Sequence, residues 1–372
     1  MAATEWPIGR WKSAVGNLVA DLEAFRGKRV LITGHTGFKG SWLSLWLHLH
    51  GAEVFGFALP PEGESAHFSA LQLAERIDHT VGDIRNVAQL ASVFDRVQPE
   101  AVFHLAAQAL VRRSYRDPIE TFSTNVTGSL NVLECVRHSD SVKALVFVTS
   151  DKCYLNQERQ AGYSEDDKLG GHDPYSASKA AAELAFATYN ASFFATKSNF
   201  GAASVRAGNV IGGGDWSEDR IIPDCIRALR ANDAIVLRKP QATRPWQHVL
   251  EPLSGYVTIG AGLLQNPSKV NGSWNFGPPE NAVHTVHEVA EKCVEHWGSG
   301  SIEIQSNPND PHEASLLQLN CEKAHAQLGW SPRWEFDRTL QETVSWYRSV
   351  VGGANVFNTT QQQIKEYEES GQ

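Results

Sequence analysis

The chain has 372 residues, of which 42% are hydrophobic and 20% charged, and carries a net charge of −9. That composition excludes a disordered or low-complexity chain, and at roughly 150 residues per domain the length predicts two domains or lobes. The acidic balance argues against nucleic acid as a main partner, while a local basic pocket for a small phosphate ester stays compatible with it. The five cysteines (Cys135, Cys153, Cys225, Cys293 and Cys321) are odd in number and contain no CxxC pair, so neither a disulfide framework nor a thiolate metal site is expected. No apolar run approaches the roughly 20 residues that span a bilayer, and residues 1–26 lack the charged start and apolar block of a secretory signal. The expectation is a soluble, cytoplasmic protein with no membrane partner.

Residues 1–26 precede the first clear element and read as a surface helix or a frayed extension. Residues 29–33 form a short β-branched apolar run, glycines follow, and a helix over 41–50 carries Leu43, Leu45, Trp46 and Leu49 at helical spacing. Further strands are predicted over 53–58, 80–84, 101–106, 144–149 and 203–210, with helices over 86–97 and 119–137 between them. Strands that alternate with helices and are apolar along their length predict a parallel sheet covered on both faces. The fold class is therefore α/β, with a doubly wound Rossmann-type domain over 27–210. A loop at 211–215, a helix over 220–230 and six prolines from Pro240 to Pro279 mark a smaller α/β lobe over 211–358. The polar tail, 359–372, reads as a loose helix or a disordered segment.

Thr33-Gly34-His35-Thr36-Gly37-Phe38-Lys39-Gly40 joins the first strand to the first helix. In such a turn Gly34 permits the sharp bend, Gly37 lets the backbone approach a pyrophosphate, and Gly40 packs helix on strand. The helix N-terminus then offers free N–H groups and a positive dipole end. The spacing is GxxGxxG. The second strand ends Phe57-Ala58-Leu59, without the carboxylate or arginine that selects between the two nicotinamide cofactors, and Glu53 opens that strand instead of closing it. Asp83, at the end of the third strand, is placed to meet an adenine amino group or simply to cap the strand.

Tyr175 and Lys179 stand four apart, on one face of a predicted helix. A fixed ammonium favours the phenolate form of a nearby phenol, which is otherwise a poor base at neutral pH. The pair follows the polar cluster Thr149-Ser150-Asp151-Lys152-Cys153-Tyr154 at the end of the fifth strand, the edge where ligands bind in parallel sheets. No metal is expected, since His48 and His50 have neither an HExxH frame nor a third ligand.

Taken with His104-Leu-Ala-Ala-Gln108, Asn125-Val-x-Gly128 and Ser150, the glycine turn and the YxxxK pair resemble the extended short-chain dehydrogenase/reductase family. Gly34–Trp42, Ser150–Tyr154, Gly208–Trp216 and Arg244-Pro-Trp-Gln-His248 are similar to its nucleotide-sugar 4,6-dehydratase branch, over residues 25–350. The resemblance implies NAD as cofactor, held by Gly34, His35, Gly37, Phe38, Gly40, Asp83, Ile84, Leu105, Ala106, Ala107, Tyr175 and Lys179, and CDP-glucose as the small-molecule substrate. It casts Tyr175 as base for the sugar 4-hydroxyl, with Lys179 and Ser150 beside it, and Asp151 as acid for the 6-hydroxyl. Most of the branch reads Asp-Glu where this chain has Asp151-Lys152, so Lys152 takes the position of the C5 base and needs a lowered pKa for it. If it does not act as base, it serves only to polarise the 4-ketone. Gln108, Asn209, Arg220, Arg244 and His312 are implied substrate contacts, and a homodimer through helices 119–137 and 175–190 is implied as well. Two other readings stand beside this one: an epimerase or 4,6-dehydratase for another nucleotide sugar, and a non-catalytic NAD-binding scaffold.

Overall fold

The computed structural model describes residues 18–63, 65–279, 282–305 and 316–371. Seven strands, β1 (Arg29–Thr33), β2 (Glu53–Ala58), β3 (Asp78–Val81), β4 (Ala101–His104), β5 (Ala144–Val148), β6 (Gly201–Arg206) and β7 (Gly272–Asn275), form one sheet. The order is β7-β6-β5-β4-β1-β2-β3, and every pairing is parallel. The helices that matter below are α1 (Leu18–Glu23), α2 (Phe38–Leu49), α3 (Val87–Val97), α4 (Val111–Arg116), α5 (Pro118–Phe122), α6 (Ser129–His138), α7 (Pro174–Ser192), α8 (Ile221–Ala231), α9 (Leu250–Gln265), α10 (Val286–Trp297), α11 (Phe336–Val351) and α12 (Val356–Glu369).

Alternation along the strands sends Leu31, Val102, Leu145 and Phe147 to one face, where they pack with α3, α6 and α7. Val30, Ile32, Phe103 and Val146 face the other way, against α1, α2 and α9. Both faces are covered, which is why the strands read as continuous apolar runs. After β1 the chain builds outward through β2 and β3, and from β4 it builds the other way. The crevice at the carboxyl ends of β1 and β4 is thus the switch point of the sheet.

Several elements differ from expectation: the third strand, expected over 80–84, runs from Asp78 to Val81. The sixth strand ends at Arg206 instead of continuing to 210, because Asn209 takes a left-handed φ of 52° that a strand cannot accommodate; Val210–Ile211 then pairs separately with Gln247–His248. The helix expected over 119–137 is α5 and α6 joined by a π-helical turn, Ser123–Gly128. Residues 272–275 supply a seventh strand with no apolar run to announce it; Trp274 anchors it, its indole N–H donating to the Val270 carbonyl at 2.8 Å.

The tail is also ordered, as helix α12. Its buried stripe is Thr360, Gln363, Ile364 and Tyr367, spaced for one helical face but mostly polar, so hydropathy hid it. Hydrogen bonds replace apolarity: Thr360 accepts from the Trp346 indole at 3.0 Å, Gln363 donates to the Glu342 carbonyl at 2.6 Å, and the Tyr367 hydroxyl donates to Glu251 at 2.7 Å. His50, considered above for a metal, instead lies 2.7 Å from Glu368 of this helix.

Glu251 on α9 is fully buried and also accepts from the backbone N–H groups of Arg333 and Trp334, at 3.0 and 2.7 Å. Burial pushes its carboxyl up to about 7. The unfolded chain releases this proton near the ordinary value of about 4.3, so the group's contribution to folding weakens as pH rises between those values. Tyr367→Phe strips a donor from the carboxylate. We expect it to cost about 1–3 kcal/mol in urea unfolding at pH 8, and less at pH 5, where Glu251 is protonated.

Candidate active site

Close contact between backbones builds the cofactor end. Gly34 has φ +79°, and a Cβ there would lie 2.6 Å from the Ala106 backbone nitrogen. The loops leaving β1 and β4 therefore touch: Leu105 N–H donates to the Thr33 carbonyl at 3.0 Å, and Ala106 N–H to the Thr33 hydroxyl at 3.4 Å. Gly37 N-caps α2 without a side chain over the first-turn N–H groups, an arrangement that suits a phosphate. Gly40 follows in that first turn, and Phe38 lies beside Gly212.

Other expected cofactor residues sit differently from one another. His35 is buried against Phe68, with Nε2 2.7 Å from His79 Nδ1, and burial pushes it down to about 3, so it stays neutral. Asp83 lies two residues beyond the end of β3 and accepts from Arg85 through its backbone N–H, Nε and Nη2 at 2.8, 2.8 and 2.6 Å. Those bonds hold its carboxyl below the usual range, and Asp83, Arg85 and Asn86 line an open groove. Ile84 is a core side chain packed on Gly128, and its carbonyl accepts from Asn131 Nδ2 at 2.9 Å. Ala107 continues the β4 exit loop.

Asp173 caps α7 by accepting from the Ser176 N–H at 2.9 Å, and Pro174 opens the helix. Tyr175 and Lys179 thereby fall in its first turns, packed on the 3₁₀ turn Asp151–Cys153 that follows β5. Ser150 caps that turn. Its hydroxyl donates to Asp151 Oδ1 at 2.8 Å and also meets the Tyr175 phenol. Burial pushes the phenol up to about 12, against the pull of Ser150 and the Arg220 charge. Lys179 is lowered to about 8 by burial, while Glu183 and Cys153 favour its charged form. Lys152 is half-buried next to Asp151.

The structure adds Lys39 to this group, a residue to which the sequence reading gave no role. Its Nζ lies 3.5 Å from the Tyr256 hydroxyl of α9, and burial, then Lys179 and Arg220, lower it to about 7 against the attraction of Asp151. A lysine inside a glycine turn was the available signal.

Of the expected substrate contacts, Gln108 is buried with its amide committed to the fold: Nε2 donates to the Leu110 carbonyl and the Thr121 hydroxyl at 3.1 and 2.9 Å, and Oε1 accepts from Leu110 N–H at 2.6 Å. Asn125 clasps the Gln108 backbone and Ser178 of α7, locking the β4 loop to the helix that carries Tyr175. Asn209 Nδ2 is 3.4 Å from Asp151 Oδ2. Arg220 pairs with Asp215 at 2.7 Å. Arg244 lies on a two-residue strand paired with His284–Thr285. His312 lies outside the described residues.

A glycine turn at the switch point, with tyrosine and lysine on one helix beside a strand-end serine, defines a dinucleotide site of the short-chain dehydrogenase/reductase type. The chain belongs to the GDP-mannose 4,6-dehydratase family, whose model matches residues 31–343. It is similar to the CDP-glucose 4,6-dehydratase of Salmonella typhimurium, 46% identical over 93% of this chain and 98% of that one. Among solved structures it is similar to a double mutant of DesIV, the dTDP-glucose 4,6-dehydratase of Streptomyces venezuelae, in complex with NAD (25% identity, TM-score 0.74, 87% and 98% of the two chains). The UDP-glucose 4-epimerase of Thermus thermophilus with NAD gives 26% identity and a TM-score of 0.71 over 86% and 98%.

A Cβ on Gly208 would overlap the Asp151 carboxylate. Gly208→Ala should therefore displace that carboxylate and lower turnover at least about 10²-fold, the scale of losing a positioned acid. Cofactor binding, followed by fluorescence titration, should be retained.

Proposed function

We propose that this chain is an NAD-dependent hydro-lyase that converts CDP-glucose to CDP-4-dehydro-6-deoxyglucose, a precursor of deoxysugars in surface polysaccharides. The observation that carries this reading is an acid, Asp151, hydrogen-bonded to the serine that meets Tyr175, in a chain 46% identical to a CDP-glucose 4,6-dehydratase. An epimerase needs the serine and the tyrosine but no acid for a 6-hydroxyl.

NAD fits the Gly34–Gly40 turn and the free N-terminus of α2, and when bound it supplies an acceptor that takes hydride from C4 and gives it back at C6. Tyr175 takes the proton of the 4-hydroxyl, and Ser150 hydrogen-bonds the 4-oxygen. Lys179, lowered only to about 8, keeps most of its charge at pH 7 and favours the phenolate. The C4 ketone acidifies the C5 proton, which Lys152 removes. Asp151, after taking up a proton from solvent, passes it to the 6-hydroxyl, which departs as water. Arg220 and Arg244 face the diphosphate, with Asn209 beside Asp151.

No helix among the described residues is long and apolar enough to cross a membrane; all five cysteines are buried and none forms a disulfide, which supports a reducing compartment, the cytoplasm. Exposed Tyr115, Ile119, Phe122 and Leu184 on α4, α5 and α7 support a homodimer through that apolar face.

Incubation with CDP-, dTDP-, UDP- and GDP-sugars tests the reading. The CDP-sugar should yield a 4-keto product, read by its ultraviolet absorbance in alkali; keto product only from another nucleotide would overturn the specificity. Tyr175→Phe should lose at least about 10²-fold in turnover. Lys152→Met should slow exchange of the C5 hydrogen with D₂O, and exchange at the wild-type rate would remove Lys152 from the base's role.

A further inference from the structure

We propose that Glu183 is a positioning residue: one buried carboxylate sets the turn that carries Ser150, Asp151 and Lys152 in register with Lys179 and keeps that lysine charged. The proposal rests on the roles given above to Ser150 and Lys179.

Glu183 follows Lys179 by four residues, one turn further along the same face of α7, and is 1% exposed. One of its oxygens accepts from the hydroxyl of Thr149, the residue before Ser150. The other accepts from Ser204 at 2.9 Å and from Arg206 Nη2 at 2.7 Å. Arg206, also buried, turns its Nη1 to the Tyr154 hydroxyl at 2.7 Å, and Tyr154 in turn donates to Asn275 at 2.8 Å. Thr149 and Tyr154 flank the turn Ser150–Cys153. Both of its ends are thus tied to the same carboxylate, one directly and one through Arg206, and β6, β7 and α7 all contribute.

A structural peg would not need to be ionised, and a buried ion pair is costly to desolvate. Here the charge has a task. Lys179 is surrounded by Glu183 on its own helix, Cys153 of the turn, Lys39 of α2 and His104 of β4. His104 is neutral, pushed down to about 3 by burial, and Lys39 repels the ammonium, so Glu183 is the carboxylate that opposes the effect of burial. Arg206 and Cys153 are the other groups facing Glu183.

The test follows Lys179 directly. In protein labelled with ¹³Cε-lysine, with Lys179→Met to assign the signal, Glu183→Gln should move the Lys179 titration midpoint to lower pH, the direction expected when the carboxylate that favours its charged form is removed. The basic limb of the keto-product rate should move with it, kcat should fall more than KM rises, and Glu183→Asp should restore most of the shift. A midpoint at the wild-type pH, with only melting temperature lowered, would reduce Glu183 to a packing residue. Should Glu183→Gln fail to fold because Arg206 is left unpaired, the double variant E183Q/R206Q removes both charges. Its midpoint should still move to lower pH, by less than in Glu183→Gln because the repulsion of Arg206 is lost as well; an unmoved midpoint there overturns the proposal. If wild-type protein makes no keto product, the functional reading fails, while the lysine titration still decides the role of Glu183.

Discussion

The contact between the loops leaving β1 and β4 is the constraint on which the rest depends. Gly34 lies so close to Ala106 that the two loops share a backbone surface at the switch point of the sheet. With that contact made, the first turn of α2 faces the same crevice as the carboxyl end of β5. The glycines of one loop and the Ser150–Lys152 turn of the other then bracket a single space. Widening the approach by one methyl group would separate the surface suited to a dinucleotide from the groups suited to proton transfer.

Charge in that space is unbalanced. Lys39 feels the repulsion of Lys179 and Arg220 and the attraction of Asp151. Arg220 has its own partner in Asp215, and Glu183 favours the charged form of Lys179. Burial, joined at Lys39 by the neighbouring cations, lowers the two amines to about 7 and about 8. Groups in that range exchange protons at physiological pH, and the proposed reaction moves protons at O4, C5 and O6.

Much of this was legible in the sequence where the signal is local. The glycine turn, the first two strands and the YxxxK spacing each declare themselves within a few residues, and the structure brings Ser150, Asp151, Tyr175 and Lys179 together. What stayed hidden depends on residues distant in sequence. Glu183 and Arg206 look like surface charges until β6 places them 2.7 Å apart in the core. The stripe of α12 is polar because its partners on α9 and α11 satisfy it, and β7 is fixed by one tryptophan instead of an apolar run. Gln108 was read as a substrate contact, yet the fold engages every polar atom of its amide.

The central claim is that one site oxidises C4, opens C6 and delivers the same hydride there. CDP-glucose deuterated at C4 tests it most directly, with the product examined by NMR and mass spectrometry. The account predicts the deuterium at C6, a solvent-derived hydrogen at C5 and no net reduction of NAD. Deuterium returned to C4, or lost into released NADH, would contradict it.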